Sequence, residues 1–269
     1  MQDALAICEE ALGSEHLDTA ESLNRLAYSF HIRGDLRSAQ DLCERALAIY
    51  EKVLGPEHRA TANMLNELGS VLQQQGDFVK AQPLLERALA IREKQLGREH
   101  RETATSLNNL ALLYTRQGEL VKALRLYARA LATYEKVLGP EHTYTATALT
   151  NLANLFKEQG NLAKARALSE RALVILEKVL GPEHPQTNRV RRTLATVLLN
   201  SLSGANEALA LGETALAAHD KAFGPGHPWT KDSARITADA LDALGRTEEA
   251  KEVRERYGIG AAAESAKPS

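Results

Sequence analysis

The stretch that decides the fold is Leu54-Gly55-Pro56-Glu57-His58, because close copies of it recur along the chain at a spacing of 42 residues. A fixed period of roughly 20 to 50 residues is the sequence signature of a solenoid or a propeller. The last copy follows after 43 residues, which places one inserted residue beside Ser203-Gly204. The other copies begin at Leu12, Leu96, Leu138, Leu180 and Phe223.

A second glycine, Gly76 in the unit that follows His58, also recurs every 42 residues and divides each unit in two. Apolar residues recur at three- and four-residue steps over Thr61 to Gln75 and again over Phe78 to Leu96, which is the pattern of two helices. Glycine directly after the last apolar residue is a common stop signal for a helix. Each unit is therefore predicted to hold two helices, and loops of two or three residues make them antiparallel.

Counted along the whole chain, this pattern predicts an all-α protein of about thirteen helices. A leading half-repeat over 1–12 comes first, and a more polar sixth pair, with Thr237, Arg254 and Tyr257, resembles a C-terminal cap. No such cap is visible before Leu5, so we expect a fragment of a longer protein or a first helix that packs on something else. We expect one solenoid over 1–257 and a disordered tail over 258–269. The predicted pairs span 19–54, 59–96, 101–138, 143–180, 185–222 and 228–257.

Composition narrows the class of protein further. Apolar residues make up 44% of the chain and aromatic residues only 4%, and the abundance of Ala, Leu, Glu, Lys and Arg favours helix over a β-sandwich. A formal charge of −2 argues against a nucleic-acid binder, whose domain is normally basic. Two cysteines and no secretory leader indicate a reducing, cytoplasmic setting. No stretch approaches the ~18 consecutive apolar residues of a membrane span.

Histidine is the residue that most invites a catalytic or metal-binding interpretation. Six of the eight histidines, however, occupy the same loop position in successive units, which predicts a structural role in capping the next helix. A threonine three residues later is expected to pack in the first turn of that helix. Cys8 and Cys43 are expected to be small buried apolar groups. Because common enzyme motifs are also absent, the sequence predicts no enzyme, no metal site and no cofactor.

The unit aligned on Gly76 carries a set of small and apolar positions that resembles the tetratricopeptide repeat. Each unit is eight residues longer than the roughly 34 residues of an ordinary repeat of that kind. With the Leu-Gly-Pro-Glu-His stretch, it is similar to the repeats of kinesin light chains and of bacterial proteins with the same 42-residue form, and the richness in alanine leans towards a bacterial member. The matching positions are Leu68, Gly69, Leu72, Phe78, Ala81, Leu85, Ala88 and Leu89.

This resemblance implies a right-handed α-solenoid whose first helices line a concave groove that binds peptides or proteins. Repeat positions five and nine, with neighbours at two, six, twelve and thirteen, then face the groove, and asparagine is common at positions five and six. A carboxamide can pair with both the N–H and the C=O of an extended peptide, at roughly 0.5–1.5 kcal/mol per bond. The alternative is that these asparagines tie adjacent repeats together. The candidates are Asn24, Asn66, Asn108, Asn109 and Asn151.

Positive charge in this groove indicates which kind of partner segment would suit it. The first helix of the fifth pair carries Arg189, Arg191 and Arg192, with no acidic residue over 185–201. Because arginine forms bidentate bonds with carboxylates, an acidic segment would suit this part of the groove, although solvated surface charge is the alternative. Arg191 replaces a core leucine, so it either snorkels along the packed surface or distorts the unit. The preceding repeats add Arg116 and Lys157.

Taken together, the sequence predicts a non-catalytic interaction scaffold that binds an extended acidic peptide or protein segment. No nucleic acid and no membrane are expected as partners. One alternative is a regulatory or sensor arm of a larger multidomain enzyme or signalling protein. Another is a scaffold that assembles with itself through its uncapped N-terminal end.

Overall fold

The computed structural model describes residues 2–201 and 204–260, and that part of the chain contains thirteen α-helices and no strand. The all-α prediction and the predicted number of helices are therefore confirmed. Residues 261–269 of the predicted tail lie outside the described residues, and so does Ser203 of the predicted insertion. The loop that contains the insertion separates α10 from α11 by five residues, which is longer than the two or three residues predicted for every pair.

The helices belong to two compact units, Met1–Val137 and Leu138–Ser269. Unit 1 contains α1 Gln2–Leu12, α2 Leu17–Arg33, α3 Leu36–Leu54, α4 Arg59–Gln75, α5 Phe78–Leu96, α6 Arg101–Arg116 and α7 Leu120–Leu138. Unit 2 contains α8 Thr143–Glu158, α9 Leu162–Leu180, α10 Pro185–Leu199, α11 Ala205–Phe223, α12 Pro228–Ala243 and α13 Thr247–Tyr257.

The repeated histidine begins the first helix of each pair. In the loop before α4, Nδ1 of His58 accepts a hydrogen bond from the backbone N–H of Ala60 at 3.1 Å, and the hydroxyl of Thr61 donates to the carbonyl of Gly55 at 2.8 Å. A side chain that accepts from the first free N–H groups of a helix stabilises its N-terminus. The predicted capping role is confirmed at His16, His58, His100, His142, His184 and His227.

In the hairpin of α4 and α5, glycine ends the first helix. Gly76 has a φ of 86°, a left-handed conformation that costs glycine little, and its N–H donates to the carbonyl of Gln73. Asp77 then caps α5, because its carboxylate accepts from the N–H of Lys80 at 3.2 Å. Two residues thus complete the turn between α4 and α5.

Small residues allow the two helices of a hairpin to approach closely. Gly69 on α4 faces Leu85 on α5, and a Cβ at Gly69 would come within 2.7 Å of the Leu85 side chain. The other pairs carry alanine at the position of Gly69, and the partner position then holds Cys43, Tyr127, Ser169, Gly212 or Arg254. The side chains at this contact therefore differ in size from one pair to the next, although the position recurs.

A buried arginine lies between repeats of unit 1. Nη1 of Arg92 donates to the carbonyl of Glu102 at 3.0 Å and to Oγ of Ser106 at 2.7 Å, and Nη2 donates to Oδ1 of Asn63 at 2.8 Å. Burial lowers the pKa of Arg92, whereas the nearby charge of Glu102 raises it. Unit 2 has two equivalent positions, Leu176 and the buried His219, and Nδ1 of His219 lies 2.9 Å from Oγ of Ser233.

Ion pairs join consecutive second helices on the outside of the hairpins. Arg87 on α5 pairs with Glu51 on α3 at 2.6 Å, and the same relation recurs one repeat later between Arg129 and Glu93. A second row joins α3, α5, α7 and α9 to the loop of the preceding repeat. Its pairs are Lys52–Glu15, Lys94–Glu57, Lys136–Glu99 and, in unit 2, Lys178–Glu141.

Arg191 is buried within the hairpin stack, so the prediction that it snorkels along the surface is wrong. Its guanidinium is buried and donates to the carbonyl of Pro182, to Oδ1 of Asn188, both at 2.7 Å, and to Glu177 at 2.6 Å. Because α9 and the loop after it supply these acceptors, the side chain is satisfied inside the hairpin stack. It is not available to a partner.

Candidate functional site

The candidate binding residues lie on the first helices of the pairs. In unit 1, α2 contacts α4 and α4 contacts α6; in unit 2, α8 contacts α10 and α10 contacts α12. We call the exposed surface of α2, α4 and α6 the first-helix face of unit 1. The exposed surface of α8, α10 and α12 is the first-helix face of unit 2. Each face is described separately.

The asparagines of unit 1 differ in exposure. Asn66 and Asn108 are only 7% and 8% exposed, and Oδ1 of Asn66 has no hydrogen-bond partner. Nδ2 of Asn109 donates to Oγ of Ser70 on the neighbouring first helix at 3.3 Å. At Asn109 the geometry is therefore that of a tie between repeats. Asn24 is half-buried and lines an open cavity of about 620 Å³.

Sequence reasoning missed the apolar part of this cavity. Tyr28 and Ile32 on α2 are 57% and 53% exposed, and both line the same cavity as Asn24. They occupy repeat positions nine and thirteen, which the family numbering already places on the groove side. Next to them, Nδ1 of His31 lies 2.6 Å from Glu67 on α4, and Nε2 of His31 is buried without a partner.

Three of the predicted cations lie on the first-helix face of unit 2. Arg189 and Arg192 lie one turn apart on α10, and Lys157 lies near the end of α8. All three are half-buried. We call Lys157, Arg189 and Arg192 the cation cluster. Asn151 is half-buried on α8, whereas Arg116 is exposed at the end of α6 and belongs to unit 1.

The three side chains of the cation cluster have fewer carboxylate partners than positive charges. Arg192 pairs with Asp232 on α12, and Oδ1 of Asp232 also accepts from Arg235 at 3.0 Å. Arg189 lies over the ring of Trp229, with its guanidinium carbon 5.8 Å from the ring centroid. Among the residues that the structure describes, neither Arg189 nor Lys157 has an ion pair. Two half-buried positive charges are thus left without a counter-ion.

The pKa values of Arg189 and Lys157 shift in the direction expected for positive charges without a counter-ion. Burial lowers the pKa of Arg189, and the charge of Arg192 lowers it further. Burial also lowers the pKa of Lys157, while Glu158 raises it and Arg192 lowers it. Beneath the cluster, burial keeps the pKa of His219 below its usual value, so this residue adds no charge at neutral pH. An anion bound here would relieve unfavourable electrostatics.

The described part of the chain offers little support for metal binding, thiol chemistry or a membrane span. No group of three or more histidine, cysteine, aspartate or glutamate side chains there is placed to hold a metal ion. Burial raises the pKa of Cys43 to about 12, so its thiol stays protonated at neutral pH. None of the helices among the described residues has the length and apolarity needed to cross a bilayer.

These features first define a class: an all-α protein of repeated antiparallel helix hairpins, with candidate binding residues on the first helix of each pair. The particular family follows from comparison with known proteins. The chain belongs to the tetratricopeptide repeat family, which matches residues 1–52, 22–94, 60–136, 102–177 and 144–203. The comparison with curated protein sequences gave no match.

Solved structures include similar chains. Repeats described as a putative kinesin light chain from Podosopora anserina are 29% identical, with a TM-score of 0.58, over 78% of this chain and 99% of that one. BtubC (BKLC) from P. vanneervenii is 21% identical, with a TM-score of 0.57, over 100% and 92%. RapI in its apo form is 17% identical, with a TM-score of 0.71, over 95% and 88%. The last two establish likeness of fold alone.

Proposed function

We propose that this chain is a non-catalytic interaction scaffold whose first-helix faces bind an extended, acidic segment of a partner protein. Family membership supports the general part of this proposal, because tetratricopeptide repeats act as protein-interaction modules, while the particular partner has to be argued from the residues of the site. The preference for acidic segments is supported by the residues of unit 2.

The observation that carries the proposal is the environment of Arg189. Its guanidinium is desolvated, stacked on Trp229 and without a carboxylate among the described residues. An unpaired, partly buried charge is unfavourable, and a carboxylate from a partner would both neutralise it and form bidentate hydrogen bonds. Lys157, which also lacks an ion pair, provides a second charge for the same segment.

On unit 1 we propose a different contribution. Asn24 and the exposed Tyr28 and Ile32 offer an amide beside apolar surface, which suits the backbone and an apolar side chain of the segment. Asn66, Asn108 and Asn109 are more buried, and Asn109 already bonds Ser70. In the proposed function these three residues hold neighbouring repeats in register.

The test is a calorimetric titration with two peptides, one of alternating glutamate and glycine and one of alternating lysine and glycine. We expect the acidic peptide to bind and the basic peptide to give no heat. Arg189→Glu should weaken the acidic peptide by at least about tenfold, because it places like charges together in a partly buried site.

The matched control is Lys178→Glu, which reverses an exposed charge on the outer side of the same unit. It should leave the affinity within about twofold, since exposed and distant charges are screened. Circular dichroism verifies that both variants keep their helices. Equal binding of the two peptides, or no binding of either, would contradict the proposal.

A further inference from the structure

His219 joins three helices of unit 2 through one imidazole ring. It lies on α11 and is fully buried. Its Nε2 lies 3.1 Å from the carbonyl of Pro185 at the start of α10, and its Nδ1 lies 2.9 Å from Oγ of Ser233 on α12. Because a carbonyl can only accept, Nε2 carries the proton and Nδ1 accepts from the hydroxyl of Ser233. Both ring nitrogens are therefore in use while the imidazole is neutral.

The position of His219 in the repeat holds a different kind of residue in other units. In the preceding repeat it holds Leu176, and the position that Ser233 occupies holds Val190; both are buried. An apolar pair can therefore fill this place without hydrogen bonds. Of the residue types found here, only histidine ordinarily changes its charge between about pH 5 and 8. The other members of the series are Cys8, Tyr50, Arg92, Tyr134 and Leu176.

The surroundings of His219 oppose a positive charge on its ring. Burial is the main cause that lowers its pKa. The charges of Arg192, His227 and Arg189 lower the pKa further, and only the hydrogen bond with the carbonyl of Pro185 raises it. Two of these groups face the ring from α10, and His227 faces it from the loop before α12.

Carboxylates on the same elements are engaged elsewhere. Asp232, next to Ser233 on α12, accepts from Arg192 and Arg235. Asp220, next to His219 on α11, accepts from the hydroxyl of Tyr257. Within the described residues, no carboxylate is hydrogen-bonded to the imidazole, so a proton gained by the ring would be a buried charge without a counter-ion.

We propose that His219 is an acid-sensitive contact: the uptake of a proton by its imidazole loosens the packing of α12 against α10 and α11. A protonated Nδ1 can no longer accept from Ser233, and the new charge is buried near two arginines. Because each repeat of such an array contacts only its neighbours, α12 and α13 can open while α8 and α9 stay folded.

This contact goes beyond the proposed function and does not depend on it. The two are linked through Trp229, whose ring centroid lies 5.7 Å from that of His219 and 5.8 Å from the guanidinium carbon of Arg189. Opening of α12 removes Trp229 from Arg189. Under the proposed function, acid would therefore also disturb the site for the acidic segment.

The direction of the pH dependence follows from the open and closed states. In the open state His219 regains its ordinary pKa of about 6.5, whereas in the closed state its pKa is lower. The contact is therefore at full strength above pH ~6.5 and weakens as the pH falls through that value. Between about pH 7.5 and 5.5 the open state gains more protons than the closed state, which should raise the opening equilibrium about five- to tenfold.

Amide hydrogen exchange measures this opening. Exchange of the α12 amides at both pH values, corrected for the intrinsic pH dependence of exchange, gives the opening equilibrium. We expect the rise of about five- to tenfold in the wild type. His219→Gln can donate to Pro185 and accept from Ser233 without gaining a proton, and it should reduce the rise to about twofold or less. The histidine caps are present in both proteins, so their protonation cancels in the comparison.

Two further variants complete the test. His219→Leu/Ser233→Val reproduces the apolar pair of the preceding repeat and should also remove the rise, so a glutamine variant that fails to fold does not end the experiment. His227→Asn is the matched control. It removes the neighbouring histidine, keeps a favoured N-cap residue and should retain a rise of about fivefold or more.

Each failure has a separate meaning. An equal rise in the wild type and in the His219 variants would overturn the inference and assign the acid sensitivity to the caps. No rise in the wild type would overturn it as well. The exchange is measured without peptide, so neither result bears on the proposed function, and an acidic peptide that does not bind leaves this contact unaffected.

Discussion

At the scale of single residues, Arg191 and Asn188 act as a coupled pair of exceptions to the repeat. The four preceding units hold leucine at the position of Arg191 and alanine at that of Asn188. Nη1 of Arg191 donates to Oδ1 of Asn188, and both side chains donate to the carbonyl of Pro182. The two polar residues replace an apolar contact with a hydrogen-bonded network that only works when both are present.

Arg191→Leu should therefore destabilise unit 2 by about 1–3 kcal/mol, because it leaves Oδ1 of the buried Asn188 without a donor and Glu177 without its ion pair. The double variant Asn188→Ala/Arg191→Leu restores the apolar pair of the other units and should recover most of the loss. Urea unfolding of the wild type, both single variants and the double variant gives the coupling energy. Additive effects would contradict the coupling.

The sequence could identify Arg191 as an exception but could not foresee its role. Its acceptor Glu177 lies fourteen residues away on another helix, and no local pattern links the two. The same applies to the depth of Asn66 and Asn108. Family numbering gave the direction in which these side chains point, but their exposure depends on how closely the next first helix packs.

At the scale of the helices, local signals carried most of the information. The histidine cap, the threonine beside it and the left-handed glycine each satisfy backbone groups within a few residues, so they can be recognised from spacing alone. The helix α10 is the exception. It is followed by a loop of five residues, and a single inserted residue gave no indication that α11 would begin as late as Ala205.

The closest approach of two helices gives a prediction at this scale. Gly69→Ala places a methyl group against Leu85, and we expect a loss of about 1–2 kcal/mol, because overpacking outweighs the gain of up to ~1 kcal/mol in helix propensity. Adding Leu85→Cys reproduces the alanine–cysteine combination of the first pair and should recover stability. Thermal unfolding followed by circular dichroism measures both. A single variant as stable as the wild type would mean that Leu85 moves aside without cost.

At the scale of the molecule, each unit is held together by contacts between successive repeats. Stability in such arrays is close to a sum of repeat and nearest-neighbour terms. The outer rows of ion pairs are regular neighbour contacts that recur at the repeat spacing, as Lys94–Glu57 and Lys136–Glu99 do. They are exposed, so each contributes little alone and is weakened by salt.

The pair between Arg87 and Glu51 allows this contribution to be measured. Arg87→Glu should destabilise unit 1 by about 1 kcal/mol or less in low salt, because it replaces an attraction with a repulsion at a partly exposed site. The double variant Glu51→Arg/Arg87→Glu should restore part of the loss, and ~1 M salt should remove most of the difference. Hydrogen exchange of α3 and α5 amides provides the measurement. An effect that does not change with salt would point to lost packing of the arginine stem instead.

The candidate site could be predicted only in part at this scale. Lys157, Arg189 and Arg192 were identified from charge and repeat position, and the structure places them on neighbouring first helices of unit 2. The stacking of Arg189 on Trp229 and the neutralisation of Arg192 by Asp232 were not predicted, because both partners come from α12, one repeat further along.

The buried Arg92 carries a consequence for how such a gene can change. Its guanidinium donates to the hydroxyl of Ser106 from the following repeat, and the equivalent positions hold serine only at Ser22 and Ser233, whereas Met64, Ala148 and Val190 cannot accept a hydrogen bond from it. Recombination that exchanged whole 42-residue blocks would preserve the histidine caps, yet a neighbour that brings Met64, Ala148 or Val190 to this place would leave the arginine against an apolar side chain. The order of the blocks is therefore inherited as a constraint, even though their length is uniform.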